Sequence, residues 1–248
     1  MIWVQGYLSE IFVSFQGEGA HVGERHLFVR MAGCNIRCVY CDTPNSLERM
    51  PGFTVFGPGN RDEYRPNPID AGELRALIES ILDDQGPIDA LALTGGEPLV
   101  QASFLAEVLG GRRIGAPVLL ETNGMLPQRL KEILPLIDII SMDIKLPSNS
   151  GERPFWEEHG AFVEVARGKE IYAKILVDRA TSEDDVRQAA DVLEKGRSGL
   201  PTFLQPITDA SGLSKIDSSQ LDQLFIALRR RHPNVRVLPQ THKMMGLR

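Results

Sequence analysis

At 248 residues, with 42% apolar and 24% charged side chains, the chain has the balance of one compact domain with a sizeable core. Its formal charge of −6 argues against a broad nucleic-acid footprint, and no apolar run reaches bilayer-spanning length. Three cysteines, an odd number crowded into one loop, make a poor disulfide framework. The opening MIWVQGYLSE lacks the basic start, apolar centre and small-residue cleavage site of a signal peptide. We therefore expect a cytoplasmic protein whose thiols stay reduced.

In chain order, HLFVRMA (26–32) reads as the first strand and runs directly into the cysteine loop. The stretch 44–69 is rich in Pro and Gly and has no clear period, so we expect an insertion or lid loop within a single domain covering 1–248. DAGELRALIESILDD then predicts a helix. Asp70 and Glu73 have capping-box spacing, and Leu74, Leu77, Ile78, Ile81 and Leu82 share one face. Strands follow at 88–94, 117–122, 137–146, 170–178, 201–207 and 234–240. Helical patterns separate them, one of which we expect to be capped by Thr181.

Such strand–helix alternation implies an α/β protein with a parallel sheet. About six units form either a doubly wound sheet or an open, partial β/α barrel with helices outside. In both, the site lies at the C-terminal ends of the strands. The unusual segments fall there: the cysteine loop after the first strand, then TGGEP, ETNG and MDIK after the next three. They predict one shared pocket.

Cys34, Cys38 and Cys41 have CxxxCxxC spacing. Three thiolates on one tight loop can hold an iron–sulfur cluster and leave one iron open to a small molecule. A zinc site completed by a distant histidine is the alternative, as Cys₃His sites exist. TGGEP alone is as well explained by a tight turn. Each charged residue of ETNG and MDIK alone is as well explained by a surface charge near a turn.

CxxxCxxC with Tyr40 before the third cysteine resembles the signature of the radical S-adenosylmethionine (SAM) superfamily. That resemblance implies the open, partial barrel. It also implies a [4Fe–4S] cluster on Cys34, Cys38 and Cys41, with SAM on its unique iron. Tyr40, Cys41, Asp42, Gly95, Gly96, Glu97, Glu121, Asn123, Asp143 and Lys145 would form the SAM site. Within the superfamily, residues 9–43 resemble the 7-carboxy-7-deazaguanine synthase family. The matching residues are Glu10, Phe12, Ser14, Gln16, Gly17, Glu18 and Gly19, then Phe28 and Arg30, then Asp42 and Thr43. The ending LPQTHKMMGLR also resembles that family's Gln-Thr-His-Lys segment. Where many members have Ser-Pro-Lys, this chain has Asp143-Ile144-Lys145, so only the lysine carries over firmly.

The resemblance implies a lyase that converts 6-carboxy-5,6,7,8-tetrahydropterin to 7-carboxy-7-deazaguanine with loss of ammonia, in queuosine and other 7-deazapurine biosynthesis. Hydrogen would be taken from C6 of the pterin, the ring would contract, and SAM would be regenerated. Phe15, Gln16, Gly17, Glu18, Arg30 and Thr94 would hold the substrate, with Arg30 on its carboxylate. Thr43 would be a ligand to Mg²⁺. An external one-electron donor such as flavodoxin and a homodimer are also implied, with neither nucleic acid nor membrane as partner. Two alternatives stay open: a glycyl-radical enzyme activase, which shares the cysteine loop and GGEP-like turn, and a non-catalytic iron–sulfur or zinc protein.

Overall fold

The computed structural model describes residues 4–59, 61–209 and 212–248. Its ten-stranded sheet has β2 (Leu8–Phe15) antiparallel to β3 (Arg25–Met31). From β3 the strands run parallel through β7 (Ala90–Gly95), β8 (Val118–Thr122), β9 (Ile139–Ile144), β10 (Glu170–Val177), β11 (Thr202–Pro206) and β12 (Val235–Val237). On the other flank, β4 (Gly52–Val55) and β5 (Glu63–Pro66) form a hairpin, with β4 beside β2. β1 (Gln5–Gly6) and β6 (Ile69–Asp70) make a separate two-stranded ribbon. The end strands β12 and β5 do not pair, so the barrel is open.

The helices that return the chain between parallel strands are α1 (Ala71–Asp84), α2 (Ala102–Leu109), α3 (Pro127–Ile133), α5 (Trp156–Val165), α6 (Glu183–Gly196) and α7 (Ser218–Arg229). The four-residue turns α4 (Pro147–Ser150) and α8 (Thr241–Met244) are local. A strand's side chains alternate between faces, and here each face has a separate task. Leu27, Val29 and Met31 of β3, Leu91 and Leu93 of β7, and Ile171, Ala173, Ile175 and Val177 of β10 join the large core beneath the helices. The alternate residues Phe28, Ala92, Leu119, Ile139 and Tyr172 form a smaller apolar layer with Phe12, whose ring stacks on Phe28 at 4.9 Å. Continuing along those inner faces toward the C-terminal ends, the residues become Arg30, Thr94, Glu121, Asp143 and Lys174. Arg30 is in register with Thr94 and Asp143 with Lys174. The barrel is thus plugged by apolar side chains in one layer and charged in the next.

Three local expectations change. β2 lies outside the predicted strands, because Ser9, Glu10 and Ser14 interrupt its apolar residues and it pairs antiparallel to β3. The segment 44–69, expected as an insertion or lid loop, contributes β4 and β5, and among its described residues Leu47 alone lines the central cavity. Asn67 binds it to β2, accepting from the Leu8 N–H at 3.0 Å and donating to the Leu8 carbonyl at 2.8 Å. The cap of α6 is Ser182, whose hydroxyl accepts from the Asp185 N–H at 3.1 Å. Thr181 instead accepts from the Asp178 N–H. Asp70 does stand at the N-cap of α1, but its side chain makes no capping bond.

Candidate active site

One cavity of about 410 Å³ opens at the C-terminal ends of the parallel strands. Cys34, Cys38, Cys41, Tyr40, Asp42 and Thr43 line it from the loop after β3. Thr94, Gly95, Gly96, Glu121, Asn123, Asp143 and Lys145 line it from the ends of β7, β8 and β9. Phe15, Gln16, Gly17, Glu18 and Arg30 complete the predicted set. Every predicted site residue except Glu97 therefore reaches one space.

The cysteine loop is tied down on several sides. The Arg37 guanidinium donates to the carbonyls of Cys34 and Ile36, both at 2.9 Å, and to Glu48 at 2.7 Å. The Arg37 N–H donates to Glu152 and the Val39 N–H to the Ser150 carbonyl. Cys34 and Cys38 pack against Ile36, Met125 and Phe155. Burial pushes both thiols above their ordinary value, so the surrounding protein favours a neutral thiol until a cation supplies positive charge. Among the described residues no three His, Cys, Asp or Glu are gathered as the ligands of one metal ion. A cubane cluster, which gives each thiolate its own iron, fits three soft donors spread along one wall.

Glu97 lies beneath this wall and is fully buried. Its carboxylate accepts from the Leu99 N–H at 3.0 Å, the Thr122 hydroxyl at 2.9 Å and the Asn123 N–H at 2.8 Å. Burial raises its carboxyl to about 7, against those three donors. In this structure Glu97 fastens ETNG to GGEP rather than facing the cavity. Asn123, so placed, reaches across to Asn35 in the cysteine loop at 2.8 Å. The two glycines are required by packing. Gly95 has φ +132°, and an added Cβ would stand 2.2 Å from the Met31 carbonyl oxygen. At Gly96 it would stand 2.3 Å from that of Gly33. Side chains here would push the cysteine loop off the strand ends.

On the opposite side, the loop after β2 crosses to the inner face of β10. Gln16 donates to Glu121 at 2.9 Å and accepts from the Glu18 N–H at 3.0 Å. Glu18 pairs with Lys174 at 2.5 Å, and Gln240 donates to its other oxygen at 2.8 Å. Asp143 lies between two ammonium groups, Lys145 at 2.7 Å and Lys174 at 3.3 Å. Burial opposes ionisation of Asp143, but the two lysines hold it below the ordinary carboxylate range. Both lysines are in turn held well above theirs despite burial. Arg30 donates from Nε to Glu10 at 2.7 Å, with Arg248 on the second Glu10 oxygen at 3.2 Å. Lys243 pairs with Asp42 at 3.0 Å.

The inner-face residue Lys174 is absent from the predicted set. Its signal is a lysine flanked on both sides by apolar residues, in IYAKILV. Gln240, His242 and Lys243 also line the cavity, and only the resemblance of the ending QTHK pointed to them.

The family model of the radical SAM superfamily matches residues 28–196. A curated 7-carboxy-7-deazaguanine synthase from Geobacter sulfurreducens is 37% identical over 245 residues, covering 96% of each chain. The chain belongs to the 7-carboxy-7-deazaguanine synthase family. A second such synthase, from Methanopyrus kandleri, is 35% identical and covers 95% of this chain and 92% of its own. Among solved structures, QueE from Escherichia coli superposes with a TM-score of 0.58 at 20% identity, covering 95% of this chain and 93% of that one. A radical SAM methyltransferase from Sphaerobacter thermophilus gives 0.57 at 13% identity, covering 93% and 77%. At such identities these two structures speak for the fold alone. Membership of the 7-carboxy-7-deazaguanine synthase family makes the chain a radical SAM enzyme of 7-deazapurine and queuosine biosynthesis, working with a [4Fe–4S] cluster and SAM. No helix among the described residues is long and apolar enough to cross a membrane.

The Glu18–Lys174 pair sets a pH dependence. Burial alone raises Glu18, but the adjacent Lys174 ammonium brings it down to about 2, from an ordinary 4.5. A carboxyl lowered on folding contributes stability that is full above the unfolded value and is lost as pH falls through the folded one. Glu18→Gln should therefore flatten the stability curve between pH 5 and 3, where the parent should lose about 2 kcal/mol through this group. Denaturant melts of both proteins across that window check it; parallel curves would show that Glu18 titrates normally in the fold.

Proposed function

We propose that this cavity converts 6-carboxy-5,6,7,8-tetrahydropterin to 7-carboxy-7-deazaguanine with release of ammonia. The observation that carries this is the convergence of the cysteine loop, the GGEP turn and the Gln16–Glu18 segment on one cavity. A glycyl-radical activase, whose substrate is a protein loop, has no use for the last of these. Cys34, Cys38 and Cys41 would hold the cluster. Tyr40, Asp42, Gly95, Gly96, Glu121, Asn123, Asp143 and Lys145 would bind SAM, with Glu97 fixing Asn123 and the turn from behind. When bound, the cluster and SAM supply the one-electron cleavage that makes hydrogen removal possible.

The chain's own residues bind and orient the pterin. Arg30 spends Nε on Glu10, which aims the rest of the guanidinium at the substrate carboxylate. Gln16 and Glu18 offer an amide and a charged acceptor to the donors and acceptors of the pterin edge, beside Phe15, Gly17 and Thr94. Gln16 and Glu18 enter already fixed by Glu121, Lys174 and Gln240, so little order is left to impose on binding. Thr43, next to Asp42 on the cavity wall, would give magnesium one neutral oxygen, leaving substrate oxygens and water to complete its shell. The family resemblance further supports a homodimer in the cytoplasm that takes its electron from a donor such as flavodoxin.

Anaerobic reconstitution should give a brown protein with about four irons per chain. With SAM, reductant and the carboxytetrahydropterin it should form the deazaguanine product. Cys38→Ala should lose both the cluster and SAM cleavage; a colourless parent carrying one tightly bound zinc would sink the assignment. Arg30→Ala should weaken pterin binding by about 1.5–3 kcal/mol, the loss of a hydrogen bond to a charged group, and leave SAM affinity unchanged. Unaltered pterin affinity in that variant would remove Arg30 from the substrate site. Thr43→Ala should lower turnover and shift its magnesium dependence with the cluster intact. An identical magnesium midpoint and amplitude in the two proteins would reduce Thr43 to a turn residue.

A further inference from the structure

The inner charges form a continuous chain across the cavity. Gln240 donates to Glu18, Glu18 pairs with Lys174, Lys174 pairs with Asp143, and Asp143 pairs with Lys145. On the proposed reading of the site, Glu18 faces the pterin, whereas Asp143 and Lys145 face SAM. Lys174 touches both halves and is 5% exposed, so water does little to screen it. We infer that Lys174 is a positioning residue that couples the two ligand sites, so that SAM and the pterin each tighten the binding of the other.

The sign follows from the distances. Asp143 has two ammonium partners, and the contact with Lys174, at 3.3 Å, is longer than the one with Lys145, at 2.7 Å. Lys145 donates to Oδ2, whereas Oδ1 accepts no hydrogen bond and faces Lys174 across an ion pair alone, so a ligand N–H or O–H given to Oδ1 competes with Lys174 and not with Lys145. Lys174 is then held by Glu18 alone, at 2.5 Å. That fixes the Glu18 carboxylate, whose other oxygen Gln240 already holds, as an acceptor for pterin N–H groups. A second bridge, Gln16 to Glu121 at 2.9 Å, joins the same two halves without a formal charge on the glutamine side. Gln240, which reaches Glu18 at 2.8 Å and Asp42 at 3.4 Å, is a third such bridge; of the three, Lys174 is the one whose bridging side chain is itself charged. Ordering paid for by the first ligand is not paid again by the second, which gives positive coupling without a change of fold.

The test measures binding rather than turnover. Anaerobically reconstituted enzyme without reductant is titrated calorimetrically with carboxytetrahydropterin, in the absence and presence of saturating SAM. The parent should bind the pterin about fivefold tighter or more with SAM present, and the reverse titration should give the same factor, as linkage requires. Lys174→Met should bring that factor to within about twofold of one, a change that a merely structural lysine would not produce. Because this variant leaves two half-buried carboxylates short of a cation, the neutral pair Glu18→Gln with Lys174→Met is titrated alongside, with iron content as the check on folding. It should likewise lose the coupling. A parent factor near one, or an undiminished factor in a variant that retains its iron, overturns the inference while leaving the substrate assignment intact. A parent that binds SAM but no pterin overturns the substrate assignment and this inference with it.

Discussion

The site depends on holding two buried lysines and two half-buried carboxylates together at one level of a half-open barrel. Glu18, Asp143, Lys145 and Lys174 gather beside β9 and β10, whose other face is apolar from Ile140, Met142 and Ile144 to Ile171, Ala173, Ile175 and Val177. Removing such ions from water costs several kcal/mol each, and their mutual attraction offsets that cost only when partners are close and complete. Here Asp143 serves two ammonium groups, and Glu18 is held by Lys174 on one oxygen and Gln240 on the other. An apolar layer in their place would pack as well and could be more stable. The charges are retained where ligands bearing amino, hydroxyl and carboxylate groups must be bound.

That constraint organises the surrounding backbone. The loop after β2 leaves the sheet to deliver Glu18 to Lys174, and the C-terminal segment folds onto the same loop. The Thr241 N–H and hydroxyl both donate to the Gly17 carbonyl. On the other wall, buried Glu97 gathers GGEP and ETNG by its three accepted hydrogen bonds, and Gly95 and Gly96 let the cysteine loop settle on the strand ends. The apolar layer of Phe12, Phe28, Leu119, Ile139 and Tyr172 closes the barrel below. One end of each inner face is thus spent on stability, and the other on chemistry.

Much of this was written in local sequence. Chemistry-bearing residues at the ends of successive predicted strands told where the pocket would be, because parallel strands place all their C-terminal ends on one side. Clustering of all three cysteines told of a metal centre, and the spacing with its flanking residues told which family. Strands β3, β7 and β10 were equally legible, since short, nearly continuous apolar runs between helical patterns mark strands of a parallel sheet buried on both faces. The cap of α6 was off by one residue because Thr181 and Ser182 are chemically equivalent, and only backbone geometry chose between them.

Other features could be decided only by the tertiary structure. The hairpin of β4 and β5 owes its place to pairing with β2, more than forty residues earlier, and a strand's distant pairing partner leaves no local signature. Glu97 reads as a ligand-binding carboxylate beside two glycines, yet its depth below the cavity depends on how β7 and β8 pack. Lys174 reads as one lysine in an apolar strand. Its significance comes from residues 156 and 31 positions away, Glu18 and Asp143, brought within ion-pairing distance by the sheet register and the crossing loop. Residue types and their period thus determined which face and which end of the barrel would carry chemistry. The partners of each buried charge were set by long-range contacts, because attraction between charges acts through space and not along the chain.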